Sequence, residues 1–393
     1  MKPLFLYPLL LSSFLIPLTL VSEAYAETPT ITIEFDLPSP LEVEEVEETP
    51  KVSKEKPKLS EKELKEHLHT TLDALIHTRY EAILKQDDTL LKSLYDTTIK
   101  SGLYAYENEA IKLRYLKNWS KKQGVHFTAI SPIIHMRKVR DRENGKFGMT
   151  CNVCTTFTYV YEDAPDVPNA FNLGTSHYIH LQQQPDDTYK VVKEWYTDPF
   201  ADSLDLDSLD STAIQKFIST HKAPDYTPDE RTQKAIDYAH HYSGVGPDDC
   251  LFKYHPDYLN CNSRGGDCAN FASQILHEGG GFKENDTWNY GDDGSKAWLN
   301  AQAFKNYMVH SGRASYIAKG SYEKVYADAY LLRPGDFVAY EKKGRITHIS
   351  TVTGLDSKGY PLVTCHNTDR LLVPYDLGWS NKNITYHLID VHY

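Results

Sequence analysis

The sequence predicts an α+β protein with two folded domains behind an N-terminal leader and a linker. Apolar residues at helical spacing follow Ser60, and segments of alternating, β-branched character follow Val125. A second region, from about Asp229 to Tyr393, combines short helices with further strand patterns. Helices followed by a run of antiparallel strands are typical of an α+β architecture. The length of 393 residues and the 40% hydrophobic content are sufficient for two ordinary cores.

Residues 1–26 have the features of a secretory signal peptide. A short charged start precedes an apolar run over 4–21, and Ala24 and Ala26 have the spacing of small residues before a cleavage site. The alternative is an uncleaved membrane anchor, but two prolines interrupt the run and it is short for a membrane span. We therefore expect a secreted, extracellular protein, cell-wall association being a further expectation, with no membrane as partner once the leader is removed.

The next segment, residues 27–59, is rich in Glu, Pro, Thr and Lys and predicts a tether without regular structure. The leader contains one Lys and one Glu, so its removal leaves the net charge of −12 unchanged. An acidic chain does not favour nucleic acid or an anionic membrane surface as a partner. The sequence does not predict the oligomeric state.

The first domain is predicted over residues 60–200. Ser60 and Glu63 have the spacing of a capping box at the start of a long helix, and two further helices are predicted around Thr89–Tyr95 and Glu107–Gln123. Four strand patterns follow, ending in "YKVVKEW". This order resembles the nuclear-transport-factor-2-like (NTF2-like) cone, in which a curved sheet wraps a long helix. The resemblance implies a pocket and names no chemistry; an acidic, Pro-containing connector follows at 201–228.

The cysteines of a secreted protein can be oxidised to disulfides, and the sequence offers several possible pairs. Cys151 and Cys154 lie in a predicted strand, where an odd separation places them on opposite faces. They are predicted to be two separate thiols or one bridge across a bulge. Cys250 and Cys261 could close a short loop, which would leave Cys268 free. No second Cys pair or close His pair completes a metal site, so no metal is expected.

Cys268 lies in "GGDCANFASQILHEGGG", at the predicted start of a helix with Asp267 as its N-cap. The free N–H groups and the dipole of a helix N-terminus lower the pKa of a thiol, and they can also stabilise an oxyanion. This position therefore suits a nucleophile. The alternatives are a small buried residue or one half of a disulfide.

A base is predicted on the strands that follow the turn "RPGD". Strands are expected over Phe337–Tyr340, over Ile346–Thr353 with His348 inside it, and over Leu362–His366. If the hairpin is centred near Ser357, His348 faces His366 across the ladder, and residues directly opposite share a face. Cys365 would then point to the other face, into the core.

Four ordered motifs in this region resemble one family. "GGDCANFASQILHEGGG" is similar to the start of the putative amidase domains of the papain-like clan that includes the NlpC/P60 and CHAP cell-wall hydrolases. "LRPGDFVAY", "THISTVTG" and "CHNTDR" resemble the strands that follow in that family. The resemblance covers residues 229–393 and implies a papain-like α+β fold. Ala269 departs from the usual Thr or Ser and removes a hydroxyl beside the cysteine.

The resemblance implies a catalytic role for several residues. It assigns Cys268 as the nucleophile, His348 as the base and His366 as the orienting third group, with Asn367 and Asp369 as rivals for that third role. The thiolate would attack an amide carbonyl, and water would hydrolyse the acyl-enzyme. This chemistry needs no cofactor.

The resemblance favours peptidoglycan or a peptide as the substrate. Trp288 and Tyr290 are predicted to lie in a loop that could line the cleft, whereas core packing is at least as good a prediction for Trp298. A second hypothesis is a catalytically inactive binding protein that uses the NTF2-like pocket or the cleft. A third is transfer of the acyl group to an amine, since the same acyl-enzyme serves both reactions.

Overall fold

The first helix begins at the predicted capping box. The computed structural model describes residues 60–200, 211–246, 250–380 and 383–393, so the predicted leader and tether lie outside the described residues. The Ser60 hydroxyl accepts a hydrogen bond from the backbone N–H of Glu63, and the Glu63 carboxylate accepts one from the N–H of Ser60. Leu68, Leu72 and Ile76 are buried on one face of this helix, as the helical spacing predicts.

The described residues form nine α-helices and ten strands. The helices are α1 (Glu61–Lys85), α2 (Asp88–Ser93), α3 (Lys100–Gln123), α4 (Ser211–Thr220), α5 (Glu230–His241), α6 (Cys268–Gln274), α7 (Lys296–Leu299), α8 (Ala301–His310) and α9 (Tyr322–Val325). The strands are β1 (Val125–Asp141), β2 (Lys146–Tyr161), β3 (Ala164–Gln183), β4 (Tyr189–Tyr196), β5 (Ala314–Gly320), β6 (Phe337–Lys342), β7 (Arg345–Leu355), β8 (Pro361–Cys365), β9 (Asp369–Pro374) and β10 (Ile384–Val391). Helix α3 begins seven residues before the predicted start near Glu107, and the α+β class is confirmed.

All ten strands belong to one antiparallel sheet. Its order is β1-β2-β3-β9-β8-β7-β6-β10-β5, and β4 pairs with the far end of β3. The middle of β3 pairs with β9 through Asn172↔Leu371, Leu173↔Arg370 and Gly174↔Asp369. This short ladder joins the strands that precede residue 200 to those that follow residue 229.

The predicted pair of domains therefore shares one sheet. Residues 59–393 form one compact unit, and Lys122 of α3 pairs with buried Asp376 beyond β9. The predicted division of this unit into an NTF2-like domain over 60–200 and an amidase domain over 229–393 stays a prediction. Within the described part of the chain, no helix combines the length and the apolar character needed to cross a membrane.

The sheet separates two cores, and residues of β6 alternate between them. Phe337 and Ala339 pack into the core that contains Cys268, Trp298 and Ile349, which we call the Cys268 core. Val338 and Tyr340 face the opposite core. That core also contains several buried tyrosines and is called the tyrosine core; its tyrosines include Tyr322, Tyr340, Tyr360, Tyr375 and Tyr386. Because successive strand residues point to opposite faces, the face of any β6 or β7 side chain follows from its position.

The disulfide joins residues that are distant in sequence. Cys154 of β2 is bonded to Cys250, 96 residues later, so the predicted local Cys250–Cys261 pairing is wrong. The reason is tertiary, because Cys154 packs in a small cluster with Val245 and Leu371 that brings the chain around Cys250 against β2. Cys151 is a free thiol in the opposite core, which confirms that the two strand cysteines face opposite ways. The predicted alternatives for this pair, two separate thiols or one bridge across a bulge, are both wrong because Cys154 is bonded to Cys250.

Candidate active site

Cys268 is the first residue of α6 and is buried. The chain reaches it through a turn in which Gly266 has a φ of 126°. A Cβ atom at Gly266 would lie 2.3 Å from Nδ2 of Asn367. Only glycine combines this backbone conformation with so close an approach, and the turn brings the start of α6 against the end of β8.

Asp267 precedes α6, but its side chain does not cap the helix. Oδ1 accepts hydrogen bonds from the backbone N–H of Cys261 at 2.8 Å and from Nδ2 of Asn270 at 2.8 Å. Oδ2 lies 2.6 Å from Nδ1 of His366. Asp267 therefore occupies the predicted N-cap position, but its carboxylate binds a buried network and not the N–H groups of the first turn of α6.

His366 is held on every side. Its Nε2 lies 2.8 Å from the carbonyl oxygen of Tyr242, and its ring stacks on Phe271 with a centroid distance of 3.7 Å and an interplanar angle of 5°. Burial lowers the pKa of His366, but the hydrogen bond to Asp267 and the nearby carboxylates outweigh burial, so the net pKa is raised. A ring with an acceptor at each nitrogen favours the imidazolium form.

Asn367 and Asp369 have different roles in this cluster. Strand β8 ends at Cys365, and Asn367 has a φ of 69° in the turn that follows. Its Oδ1 accepts a hydrogen bond from the backbone N–H of Asp267 at 2.6 Å. Asp369 accepts a hydrogen bond from the Tyr254 hydroxyl, and burial raises the pKa of Asp369 to about 6.

Arg370 does not pair with Asp369, its neighbour in sequence. Its two terminal nitrogens donate to the carbonyl oxygens of Leu377 and Pro199, at 2.7 and 2.8 Å. The side chains of neighbouring strand residues point to opposite faces. Arg370 therefore lies on the face of the sheet that carries the tyrosine core. Asp369 remains with His366.

His348 lies on the face opposite to Cys268. It pairs with Tyr340 across β6 and β7, and its ring stacks on Trp379 with a centroid distance of 5.0 Å. Its Nε2 lies 3.2 Å from Sγ of Cys365. Burial, reinforced by the charge of Arg370, lowers the pKa of His348 to about 3, so the ring is neutral.

The register of β7 and β8 explains why the two histidines do not face each other. Thr351 pairs with Thr364, and a register shift follows between Val352 and Gly354. Counting back from Thr351, the position opposite His348 is Asn367, already beyond the end of β8. His366 shares the face of Thr364, and the expectation that it faces His348 is wrong by one residue.

The Cys268 thiol is protonated in this arrangement. Burial raises the pKa of Cys268 to about 12, although the backbone N–H groups of Ile349 and Ala269 act to lower it. No hydrogen bond between the side chains of described residues joins Cys268 to His348 or His366. The structure thus places a nucleophile-type residue beside donor N–H groups, but it does not bring the predicted dyad together.

The predicted aromatic lining is largely core. Trp288 and Trp298 are both buried, and their Nε1 atoms donate to Ser273 Oγ at 3.0 Å and to Asn270 Oδ1 at 2.9 Å. The proposed cleft position of Trp288 is therefore wrong, since its indole N–H finds its acceptor on α6. Tyr290 is half-buried, and its hydroxyl accepts from the N–H of Leu259 at 2.7 Å.

Sequence reasoning missed four participants. Asn270 binds Asp267 from one helical turn away, and this spacing could have been found from the sequence. Tyr242 acts through its carbonyl, Tyr254 is distant in sequence from Asp369, and Cys365 was predicted only as core. Local patterns give no signal for those three. Among the described residues, no group of three or more His, Cys, Asp or Glu side chains is arranged to hold a metal ion.

Residues 229–389 match the family model described as "Putative amidase domain". The matching segment is C-terminal, and the match suggests amide hydrolysis as the reaction class. No match to a curated protein was found. Among solved structures, the intermembrane space region of the chloroplast protein ARC6 is 8% identical, with a TM-score of 0.25, over 36% of this chain and 98% of that chain. A TM-score of this size supports no conclusion on fold or function.

Proposed function

We propose that the protein is a secreted cysteine amidase that hydrolyses an amide bond in peptidoglycan or in a peptide. The observation that carries the proposal is the position of Cys268, the first residue of a helix inside the segment that matches the amidase family. The papain-like and NTF2-like folds of the two halves belong to the same proposal. The Cys154–Cys250 disulfide supports an oxidising, extracellular compartment.

In the proposed reaction, the Cys268 thiolate attacks the amide carbonyl and forms a tetrahedral intermediate. Backbone N–H groups at the start of α6 stabilise its oxyanion. Collapse expels the amine, which takes a proton, and water then cleaves the thioester to release the carboxylic acid. We assign the proton donor to His366, which carries the Asp267 hydrogen bond and lies on the Cys268 side of the sheet. The thiol loses its proton to water when substrate entry admits water to it, and the N–H groups of Ile349 and Ala269 stabilise the thiolate.

The family resemblance supports His348 as the base instead. For His348 to reach Cys268, strand β7 would have to shift by one residue, because such a shift exchanges the faces of all its side chains. Register shifts next to Tyr340 and Val352 already bracket this part of β7. His348 is therefore the alternative assignment, and one experiment separates it from His366.

The test is turnover of peptidoglycan fragments and of short peptide amides, followed by mass spectrometry. We expect Cys268→Ala to lower turnover by about 10³-fold or more. Cys151→Ala, which removes a buried thiol from the other core, is the matched control and should be unchanged. His366→Asn should lower turnover by about 10²-fold. A larger loss in His348→Asn than in His366→Asn would assign the base to His348.

A second candidate is an inactive amidase fold that binds a ligand or partner. The observation that favours it is the protonated, buried Cys268, to which no imidazole is bonded in the part of the chain that the structure describes. Absent turnover in the wild-type protein would support this candidate and overturn hydrolysis. Turnover that survives Cys268→Ala would instead overturn Cys268 as the nucleophile. Adding glycinamide as an acceptor tests acyl transfer, since a new amide product would appear in place of the free acid.

A further inference from the structure

A cavity of about 420 Å³ lies outside the amidase site. Side chains of α1 and β1 line it, together with Leu251, the residue next to the disulfide cysteine Cys250. Its volume is within the range of small-molecule sites in proteins. Because both halves of the chain contribute to its wall, the cavity exists only in the joined fold.

Two cations line this cavity without a carboxylate partner among the described residues. Lys65 of α1 and Arg137 of β1 are exposed, and neither forms an ion pair or a hydrogen bond with another described residue. The whole chain carries a net charge of −12. Two unneutralised cations in one cavity therefore give this cavity a charge of the opposite sign to that of the whole protein. Such a pair attracts an anion.

The strand is irregular at the position of one of these cations. The β1–β2 register shifts between Met136 and Lys138, which leaves Arg137 without a partner on β2. Bulges of this kind re-aim a side chain, and they are common beside binding sites. The irregularity thus allows Arg137 to line the cavity together with its neighbours in sequence.

Two histidines complete the polar wall. Nε2 of His69 lies 3.2 Å from the carbonyl oxygen of Ile134. His135 packs edge-on against Phe252, and its Nε2 is buried with no hydrogen-bond partner in the described part of the chain. A buried polar atom without a partner is unfavourable, and a bound ligand with an acceptor oxygen would satisfy it.

We propose that this cavity binds a carboxylate carried on an apolar group, such as the C-terminal residue of a peptide. Lys65, Arg137 and His135 would hold the carboxylate oxygens, since charge-assisted hydrogen bonds are the stronger ones. The apolar lining, Ile134, Met136 and Leu251, would contact the side chain. The proposal does not depend on hydrolysis at Cys268.

The experiment is calorimetric titration of the purified protein with N-acetyl-leucine, N-acetyl-leucinamide and inorganic phosphate. The acid should bind, and the amide and phosphate should bind at least about tenfold more weakly, because each lacks either the charge or the apolar group. Lys65→Gln and Arg137→Gln should each weaken binding of the acid by about tenfold. Lys62→Gln and Arg140→Gln remove neighbouring exposed cations from the same two elements and should leave binding unchanged.

Equal affinity for the acid and its amide, or for the acid and phosphate, would overturn the proposal. So would equal losses in the control variants, which would indicate only an unspecific effect of net charge. The titration is repeated with Cys268→Ala, which removes the proposed nucleophile and leaves the cavity intact. Binding that persists in this variant supports a separate site, whereas binding abolished by Cys268→Ala would assign the ligand to the amidase site.

Discussion

At the scale of single residues, the site depends on which atoms are already bonded. Asp267 accepts from Cys261, from Asn270 and from His366, and His366 donates its other nitrogen to Tyr242. These bonds fix the ring beside the start of α6. Cys268, by contrast, has burial acting against its ionisation, so its reactivity depends on exposure.

The first prediction concerns the reactivity of Cys268 in the resting protein. Because burial raises the pKa of this thiol to about 12, iodoacetamide should label it slowly at pH 7, and the rate should rise about tenfold per pH unit into the alkaline range. The same trend is expected for turnover when ionisation limits it. Mass spectrometry of the labelled, non-reduced protein measures this. Rapid labelling at pH 6 that His348→Asn abolishes would instead reveal a thiolate–imidazolium pair with His348.

The second prediction concerns Asp336, whose oxygens accept from the N–H groups of Arg333 and Val391 at 2.7 and 3.0 Å. Burial raises its pKa from 3.8 to about 7. The folded state therefore binds a proton more strongly than the unfolded state between these values, and the stability that Asp336 contributes falls as pH rises from 4 to 7. The loss is about 3 kcal/mol.

Urea unfolding at pH 4 and pH 8 tests this second prediction. The side chain in Asp336→Asn cannot titrate, so this variant should not lose the stability that the wild type loses. Its free energy of unfolding relative to the wild type should therefore increase from pH 4 to pH 8. Asp225→Asn, at an exposed position, is the control and should show little change. A constant difference between Asp336→Asn and wild type at the two pH values would contradict the shifted titration.

At the scale of elements, a buried ionic network ties α1 and α3 to β3 and β4. Both terminal nitrogens of Arg79 bind the Glu194 carboxylate, at 3.0 and 2.5 Å. His177 binds the same carboxylate at 2.8 Å, and on α3 Lys112 pairs with Glu109 at 3.2 Å. All these side chains are buried. Each charge therefore depends on its partner, since water cannot replace it.

The third prediction is that Glu194→Gln destabilises the protein by about 3 to 5 kcal/mol, because it leaves the Arg79 charge buried and uncompensated. Glu81→Gln removes the exposed partner of Lys85 and should cost about 0.5 kcal/mol or less. Chemical denaturation at pH 7 measures both values. Equal effects of the two substitutions would contradict the structural role of the network.

The pH dependence of the same group has the opposite sign to that of Asp336. Burial acts to raise the pKa of Glu194, but the charge of Arg79 and the bond to His177 lower it to about 2. The stability that the ionised Glu194 contributes is present above pH 4.5 and is lost as pH falls through about 2. Acid unfolding of Glu194→Gln should therefore lack that part of the transition.

At the scale of the whole molecule, the two halves share a sheet and a core. The β3–β9 ladder, the Cys154–Cys250 disulfide and the buried Lys122–Asp376 pair all cross between them. Trp119 of α3 also donates to Asp376, at 3.1 Å. Removing one half would leave β9 without a partner on one side and Asp376 without its cation.

The fourth prediction is that residues 229–393 expressed alone do not fold cooperatively, because the tyrosine core and the β9 edge would be exposed. Residues 60–393 should unfold in one calorimetric transition. Circular dichroism and calorimetry of both chains measure this. A sharp transition in the isolated segment would show that the amidase domain is independent.

The sequence predicted well what depends on neighbours along the chain. The capping box at Ser60, the buried face of α1, the opposite faces of Cys151 and Cys154, and the start of a helix at Cys268 all follow from spacing within one element. Such features are set by local hydrogen bonding and by the helix and strand periods.

Two failures had a common cause. The Cys250–Cys261 pairing was predicted from proximity along the chain, whereas Cys250 is held against β2 by contacts with distant residues. The hairpin at Ser357 was predicted without a register shift. The observed pairing of β7 and β8 differs from that prediction by one residue at His348, which places His348 and His366 on opposite faces of the sheet. Register and long-range contacts depend on packing among distant segments, for which periodicity gives no signal.

The sequence by itself thus determined the α+β class, the amidase motifs and the nucleophile-type position of Cys268 at a helix start. Only the tertiary structure decided that His366 and Asp267 lie together, that His348 meets Cys365, and that both halves share one sheet. The physical reason is that helix starts and strand periods arise from local backbone geometry. The face of a side chain in a sheet, by contrast, depends on a register that the whole core fixes.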